Sequence, residues 1–597
     1  MQTRFLTPLF HLFLYALLLT RSFAQSSNMP APVYSARTDR AIQQNADPSP
    51  NLSGLTGAGT CVVPSDFNLP VCRITDANLD PSLENQTHVT TTSGSGDTNL
   101  WNTDSHLLVL QGSGGRVYPL AFDPATMRAT RLYTSSYPTT DGFHISGGGP
   151  AWSFANSTLL YVMNDSAIQS YDLRGYNKGE NPPSAVELYD FVAGKTGSWG
   201  ITTTNCLPAN YNVTWRSFGM MSKHPADDVF LLGLSQNGGQ NTGGDVVAYR
   251  VGSGCTYLNT LTGTVTGDWG TTGNVAIPDR PYVHNVKISK DGQWAMVAQG
   301  PCHIKPDILS ISRTENVVTA TLSSVAGLGV GVGVDVISVA LGANGTSFNL
   351  SNAALTSVNL STNAVQWAQT AEDDSSSGGA VDNCVSKGPY FWQIGTTNLY
   401  QSCLPGTSAA KNGACGGHWT AGFSHFVNAN YSPFWQQIIR SFGDDPIGKK
   451  IIPGLPLPAE DCVKGIKSVD QHQNWSNADL NDTYPIFSTT TNAPNASLQP
   501  DGGFTCAWVN EVIGISPSTG TVYRFAHTRN TGLSWNFSTK NAIGGVSQDG
   551  RFFVFSSDWE GTLGSETGDT ACEPSKDCRG DVFVVGLIKS RTPSLVK

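Results

Sequence analysis

The side chains that could hold a ligand or move a proton gather where loops run into strands. Asn102, Asp104 and His106 form one such group, Lys223-His224 a second and His284 a third. His418, His425 and Asn428 lie in GGHWTAGFSHFVNAN; Asp470, His472, Asn474 and Trp475 lie in DQHQNWSNAD; His527 and Arg529 lie in FAHTRNTG. Of 11 histidines one, His11, falls in the N-terminal leader, and most of the others stand in these segments. Imidazoles that converge could bind a divalent metal, and a neutral one could act as a base. His425, His472 and His527 are therefore the candidate catalytic groups. The expected ligand-binding set is Asp104, His106, His284, His418, His425, His472, Trp475, His527 and Arg529. Trp101, Trp419, Trp475 and Trp535 would add flat surfaces on which the CH face of a sugar stacks. The competing account of any single His is structural: polar groups at strand starts commonly bond a neighbouring backbone.

Other chemistries lack their motifs. There is no G-x-S-x-G elbow, no P-loop and no dinucleotide fingerprint. The acidic stretches Glu372–Ser377 and Asp444-Asp445 lack calcium-loop spacing and read as solvated turns. The net charge of −10 is spread along the chain without a basic stripe, which argues against nucleic acid and anionic membranes as partners.

The elements that must position these groups are β-strands. Charged residues make up only 13%, aromatics reach 10%, and Gly occurs 63 times in 597 residues, the profile of a turn-rich β protein. In Ala542–Ile588 an S-x-D-G turn precedes an alternating strand, with Phe552, Val554 and Ser556 on one side and Phe553 and Phe555 on the other. Asp-Gly supplies a tight reversal, because Gly takes positive φ cheaply and Asp bonds its own backbone. A hairpin of this kind is half of a four-stranded blade and cannot bury both faces alone. Six further candidate units follow, several in the same order: His88–Tyr133, Gly147–Phe191, Phe218–Asp268, Val283–Gln299 completed by Tyr390–Gln401, the poorly patterned Gly417–Phe442, and Asp470–Phe525. Strand–turn units at this spacing predict an all-β, seven-bladed β-propeller, six or eight blades also fitting, over a pair of β-sandwiches.

Residues 1–24 read as an export signal, with Arg4, the apolar run Phe5–Thr20 and the small-x-small site Ser22-Phe23-Ala24. Residues 25–60 read as a flexible linker, 61–314 as the first part of the propeller, 315–379 as a small β domain inserted in one blade, and 380–590 as the second part. A secreted, extracellular or periplasmic monomer that does not span a membrane is expected. The 12 cysteines form no C-x-x-C, so disulfides are favoured over zinc. Cys61 with Cys72, Cys403 with Cys415, and Cys572 with Cys578 are close pairs, which makes local disulfides the natural reading. Cys302 and Cys384 flank the insertion; Cys206, Cys255, Cys462 and Cys506 complete the set. N-x-S/T sequons include Asn156, Asn212, Asn474 and Asn536.

The S-x-D-G turn with its alternating strand ending in Ser557-Asp558 resembles the TolB-type propeller repeat. The inserted stretch, with its G-L-x-V-G turn and S-F-N motif, resembles a small β module of bacterial secreted and phage-associated proteins, which implies a spacer or adhesion role. His527-Thr528 followed by Ser547–Asp558 is similar to oligogalacturonate lyases. That resemblance implies β-elimination of a uronate, a metal held by channel histidines and a basic side chain removing the C5 proton. Where the lyase pattern has a metal-binding His before the turn, this chain has Asn541-Ala542-Ile543. The charge-poor approach segments offer few Arg, Arg216 and Arg529 being exceptions. The expected function is thus binding of a glycan or cell-envelope component at a channel mouth, with a polysaccharide lyase as the alternative.

Overall fold

The computed structural model describes residues 31–39, 55–79, 89–90, 99–112, 117–132, 150–164, 167–174, 185–191, 221–235, 244–260, 262–275, 283–299, 308–322, 325, 330, 333–337, 349–368, 380–382, 390–401, 419–429, 437–442, 449–452, 469–477, 479–492, 508, 510–530, 542–563 and 579–589. Among them the chain is all-β, every sheet is antiparallel, and no helix is long and apolar enough to cross a membrane.

Sheets overlap each of the expected segments, the third and fifth running past their expected ends and the last drawing two strands from outside its segment. The first contains Val89–Thr90, Leu107–Gly112, Val117–Asp123 and Arg128–Arg131; the second Ala151–Trp152, Leu159–Asn164, Ala167–Asp172 and Val186–Asp190. The third has six strands, from Ser222–Lys223 through Val229–Ser235, Gly244–Arg250 and Gly254–Asn259 to Gly273–Asn274. The fourth pairs Val283–Ile288, Trp294–Gln299, Tyr390–Gln393 and Leu399–Gln401. The fifth runs Trp419–Ala421, His425–Ala429, Gln437–Ser441 and Lys449–Ile452, and the sixth Val469–Asn474, Ile486–Asn492, Glu511–Ile515 and Val522–His527. The seventh joins the two ends of the chain. Gly544–Val546, Phe552–Ser557 and Asp581–Gly586 are continued by Val71–Arg73 and Thr60–Val62.

Period-two alternation explains why these sheets stand side by side. Phe552 and Val554 enter the core that holds Trp101, Leu110 and Trp152, while Phe553 and Phe555 enter the core that holds Phe487 and Phe525. Phe230 and Leu232 likewise face one core and Val229 and Leu231 the next. A strand apolar on both faces needs a sheet on each side. Each fully buried Phe or Leu contributes about 1.5–3 kcal/mol, so no hairpin here is stable unaccompanied. Successive sheets are stitched as well as packed. Trp101 Nε1 donates to Gly545 O at 3.1 Å, and Trp152 Nε1 to Leu100 O at 2.8 Å. Ser153 Oγ donates to Asp227, Ile288 N to Ser222 Oγ at 3.0 Å, and Lys290 N to Gly422 O at 2.7 Å. Ser424 N donates to Asp482 Oδ2 at 2.9 Å, and Val546 N to Asn474 Oδ1 at 3.2 Å. The links pass through all seven sheets and return to the seventh.

The S-x-D-G segments form one turn twice. At Ser547 and at Ser289 the hydroxyl accepts the N–H of the residue five ahead, at 3.0 and 2.9 Å. Gly550 and Gly292 close the turns at φ +69° and +73°. The same reversal recurs at Asn102–Ser105 and His224–Asp227, where Ser105 and Asp227 take φ +61° and +59°.

An eighth sheet, six-stranded, interrupts the fourth between Trp294–Gln299 and Tyr390–Gln393. It runs from Ile308–Thr314 to Ala380–Asp382, wider than the expected 315–379, because the flanking segments supply both edge strands. Val318, Ala320, Leu355, Val365 and Trp367 are buried in it.

Of the expected disulfides, one pairing is seen in full. Cys61 and Cys72 are directly paired across Thr60–Val62 and Val71–Arg73 and form a disulfide. Cys255 is also disulfide-bonded. The expected pairs Cys403 with Cys415 and Cys572 with Cys578 lie outside the described residues, as do Cys302 and Cys384 beside the insertion. Cys206, Cys462 and Cys506 lie outside them too. Part of the stretch expected to be a flexible linker is pinned. Tyr34 donates to Gly550 O at 3.0 Å and packs on Phe487, Tyr523 and Phe525, while Arg524 N donates to Arg37 O at 2.9 Å.

Candidate functional site

A cavity of about 500 Å³, counting the solvent at its mouth, opens where the first strands of the sheets run into their turns. Asn99 lines it from the first sheet, Ala151 and Phe154 from the second, Ser222 and Lys223 from the third. Lys287 and Lys290 come from the fourth, Ala421 from the fifth, Trp475 and Ser476 from the sixth. The seventh sheet closes it from behind: Gln548 Nε2 donates to Ser476 O at 2.9 Å and also to Asn99 Oδ1. Phe154, Pro225 and Lys290 each follow the first residue of a turn, so the reversal itself aims that side chain inward.

Among the described residues, three lysines and no Asp or Glu line the cavity. Lys223 is ion-paired with Asp227 and sits over the Phe154 ring at 4.6 Å. Burial pulls its pKa below the usual lysine value, against the opposing pull of Asp227. Lys290 Nζ donates to Asn477 Oδ1 at 3.1 Å and Asp479 O at 2.9 Å. Lys287 is buried and lines the same cavity. The nearby carboxylates are engaged elsewhere. Asp479 accepts the N–H of Asn481 at 3.0 Å and of Tyr484 at 2.6 Å. Asp482 accepts from Ser424 N and, at 3.0 Å, meets His425 Nδ1. Although burial opposes it, those bonds and Lys290 hold the Asp482 carboxyl below its ordinary range.

The expected site residues scatter. Asp104 and His106 stand exposed on the first sheet's turn, His106 Nδ1 lying 2.8 Å from Asp104 O. His284 is near the start of Val283–Ile288, whereas Lys287 and Ile288, at its end, reach the cavity. His418 lies outside the described residues. His425 is half-exposed and anchored by Asp482. His472 is buried in Val469–Asn474. His527 ends the fourth strand of the same sheet, so three strand spacings, about 14 Å, separate the two strands. There His527 Nε2 faces Asp66 Oδ2 at 3.4 Å under the edge of Phe67, and Arg529 pairs with Glu560 at 3.1 Å. Among the described residues no three His, Cys, Asp or Glu side chains gather as a metal site.

Trp101 and Trp475 are fully buried, their N–H groups bonded to Gly545 O and Tyr484 O, and of the two Trp475 lines the cavity. Trp535 lies outside the described residues. Asn474 is also fully buried, which rules out a glycan on its sequon in the folded chain. Lys287, Lys290, Ser476, Asn99 and Gln548 were not read from the sequence as site residues. The signal that could have found two of them is the variable position of S-x-D-G, held by Lys290 and Gln548.

No family model and no curated protein matches the chain. Among solved structures, an oligogalacturonate lyase from Vibrio parahaemolyticus is 8% identical at TM-score 0.34, covering 93% of this chain and 100% of that one. The C-terminal WD40 domain of Sif2 is 8% identical at TM-score 0.30, covering 85% and 98%. A luciferin-regenerating enzyme is 8% identical at TM-score 0.28, covering 85% and 94%. Likenesses this slight carry nothing about what this chain binds.

Proposed function

We propose that the chain is a secreted, monomeric seven-bladed β-propeller of the TolB type, with a small β module inserted in its fourth blade. Its function is to bind a glycan or cell-envelope component in the cavity at the ends of the first strands. One observation carries this reading: residues from six sheets converge on one cavity, with the seventh bonded behind it. A cleft where a few polar groups from several sheets converge suits a small polar ligand. The test is retention on immobilised oligosaccharides with Phe154→Ala as the probe, because that ring lines the cavity and is only partly covered. Saturable retention that weakens in the variant is expected. No retention on any glycan, or retention indifferent to Phe154, overturns it.

A second reading, β-elimination from a uronate, draws on Lys223. Its lowered pKa moves this cavity-lining amine toward the range of a general base. The ultraviolet absorbance of an unsaturated uronate, appearing with acidic polysaccharides and not with Lys223→Met, would favour it.

A further inference from the structure

Independently of any ligand in the cavity, and resting on the export proposed above, we infer that Asn359 of the inserted sheet is the attachment point of an N-linked glycan. Asn359-Leu360-Ser361 is an N-x-S sequon. It forms the tip of the hairpin that joins Asn349–Asn359 to Ala364–Ala368, where Asn359 is paired with Ala364. Asn359, Leu360, Ser361 and Thr362 are all exposed. Asn359 Oδ1 accepts Ser361 Oγ at 2.7 Å, Ser361 N at 3.0 Å and Thr362 N at 3.2 Å. Only the carbonyl end of the amide can face three donors, so Nδ2, the atom a glycan joins, lies on the outer side of the turn. The other sequons with described side chains are less open. Asn474 is fully buried. The Asn156 sequon is half-buried, with Ser157 O accepting Asn102 Nδ2 of the first sheet at 2.7 Å. At Asn481 the hydroxyl of Thr483 turns to Asp479 Oδ1 at 3.2 Å.

The donor is a lipid-linked oligosaccharide diphosphate, met during export. The amide nitrogen bonds to the anomeric carbon of the first sugar, and the bond from that carbon to the diphosphate oxygen breaks. The lipid diphosphate leaves with the electron pair, and the amide proton passes to a base of the transferring enzyme. A group this bulky is compatible with the folded chain only where the asparagine stays at the surface. The hairpin tip also has apolar surface to cover. Leu360, the middle residue of the sequon, is 74% exposed, and Leu309 and Val330 of the same insertion are 66% and 70% exposed. A solubilising glycan beside Leu360 shields the most exposed of the three from self-association.

The test translates the full chain beside microsomes that carry out N-glycosylation. Import is read by protection from added protease, and glycans by the gel shift that a peptide N-glycosidase removes. That enzyme leaves Asp where a glycan stood, so peptide masses report each site. The imported chain should show Asp at position 359 after digestion. Ser361→Ala, which keeps Asn359 but lacks the hydroxyl, should run one glycan smaller than the parent, and Ser361→Thr should run level with it. Both changes lie at an exposed turn, and the readout does not require the chain to fold. An imported chain whose Asn359 remains asparagine overturns the inference and leaves export standing. A Ser361→Ala chain that carries as many glycans as the parent overturns it as well. A chain that is not imported overturns the export reading and this inference with it.

Discussion

At the scale of single residues, the reversals show what the backbone requires and what it leaves open. The fourth turn position takes positive φ, at little cost in Gly292 and Gly550 but at a steric cost of about 1–2 kcal/mol in other residues. Ser105 occupies that position at φ +61°, fully buried, with its Oγ unpartnered. Ser105→Gly removes both penalties and concedes some unfolded-state entropy, so a net gain of about 1 kcal/mol is expected. It should appear as a higher urea midpoint at unchanged slope. Asp482 works in the other direction. Its carboxylate accepts the N–H of Phe423 at 2.5 Å, Ser424 at 2.9 Å and His425 at 3.1 Å, and its pKa is held below 3.8. A depressed acid stabilises the fold above its unfolded pKa, and that stability drains away as pH falls through the folded value. Asp482→Asn keeps a residue that tolerates φ +56° and should cost about 1–3 kcal/mol at neutral pH. Its stability should also fall less steeply than the parent's between about pH 4 and pH 2, read by denaturation across that range. A parallel pH profile would mean that the carboxylate charge does not contribute.

At the scale of elements, the strands were legible and the placement of the site was not. Phe552–Ser557 announces itself because alternation puts aromatic or branched residues on both faces, and both faces are buried. The turns at Asn102 and His224 were hidden, since N-x-D-S and H-P-A-D share geometry with S-x-D-G but not its letters. Lys290 escaped for a related reason: the turn's second residue makes no bond the reversal needs, so its type follows no local rule. Nor does a local pattern reveal that Tyr34 and Arg37 dock some 500 positions away in sequence, on Gly550 and Arg524. The N-terminal strands of the seventh sheet were equally silent apart from their cysteines. Cys61 and Cys72 clip Thr60–Val62 to Val71–Arg73, which itself pairs with Asp581–Gly586. The loop they close is short, with a sequence separation of 11. Replacing both by Ala should therefore cost about 2–3 kcal/mol, measured as a lowered denaturant midpoint under oxidising conditions. An unchanged midpoint would show that Arg73 bound to Asp581 already fixes this edge without the covalent clip.

At the scale of the whole molecule, the eighth sheet is the part whose connection to the rest rests on one crossing. The chain leaves the fourth sheet after Gln299 and returns at Tyr390, and the register there is continuous: Met296 faces Phe391 and Val297 faces Tyr390. Directly opposed residues of an antiparallel pair are about 5 Å apart, so the exit and return points already have hairpin geometry. Among the described residues, the cavity takes nothing from the intervening sheet, and the cores that join the third, fourth and fifth sheets hold Ile288, Met296 and Phe426 but no residue between 300 and 389. Replacing residues 300–387 with Asn-Gly, which favours a two-residue turn of the right twist, should leave the remaining sheets folded. Shortening the connection lowers its closure entropy, an advantage that grows only slowly with length. Cys302 and Cys384 leave together, so no other cysteine is stranded if they are partners. The expected result is a soluble protein with one cooperative thermal transition within about 4 °C of the parent, and with parent-like ligand titration. Loss of the transition would mean that the inserted sheet is part of the folding unit, and loss of ligand binding alone would place it over the cavity mouth.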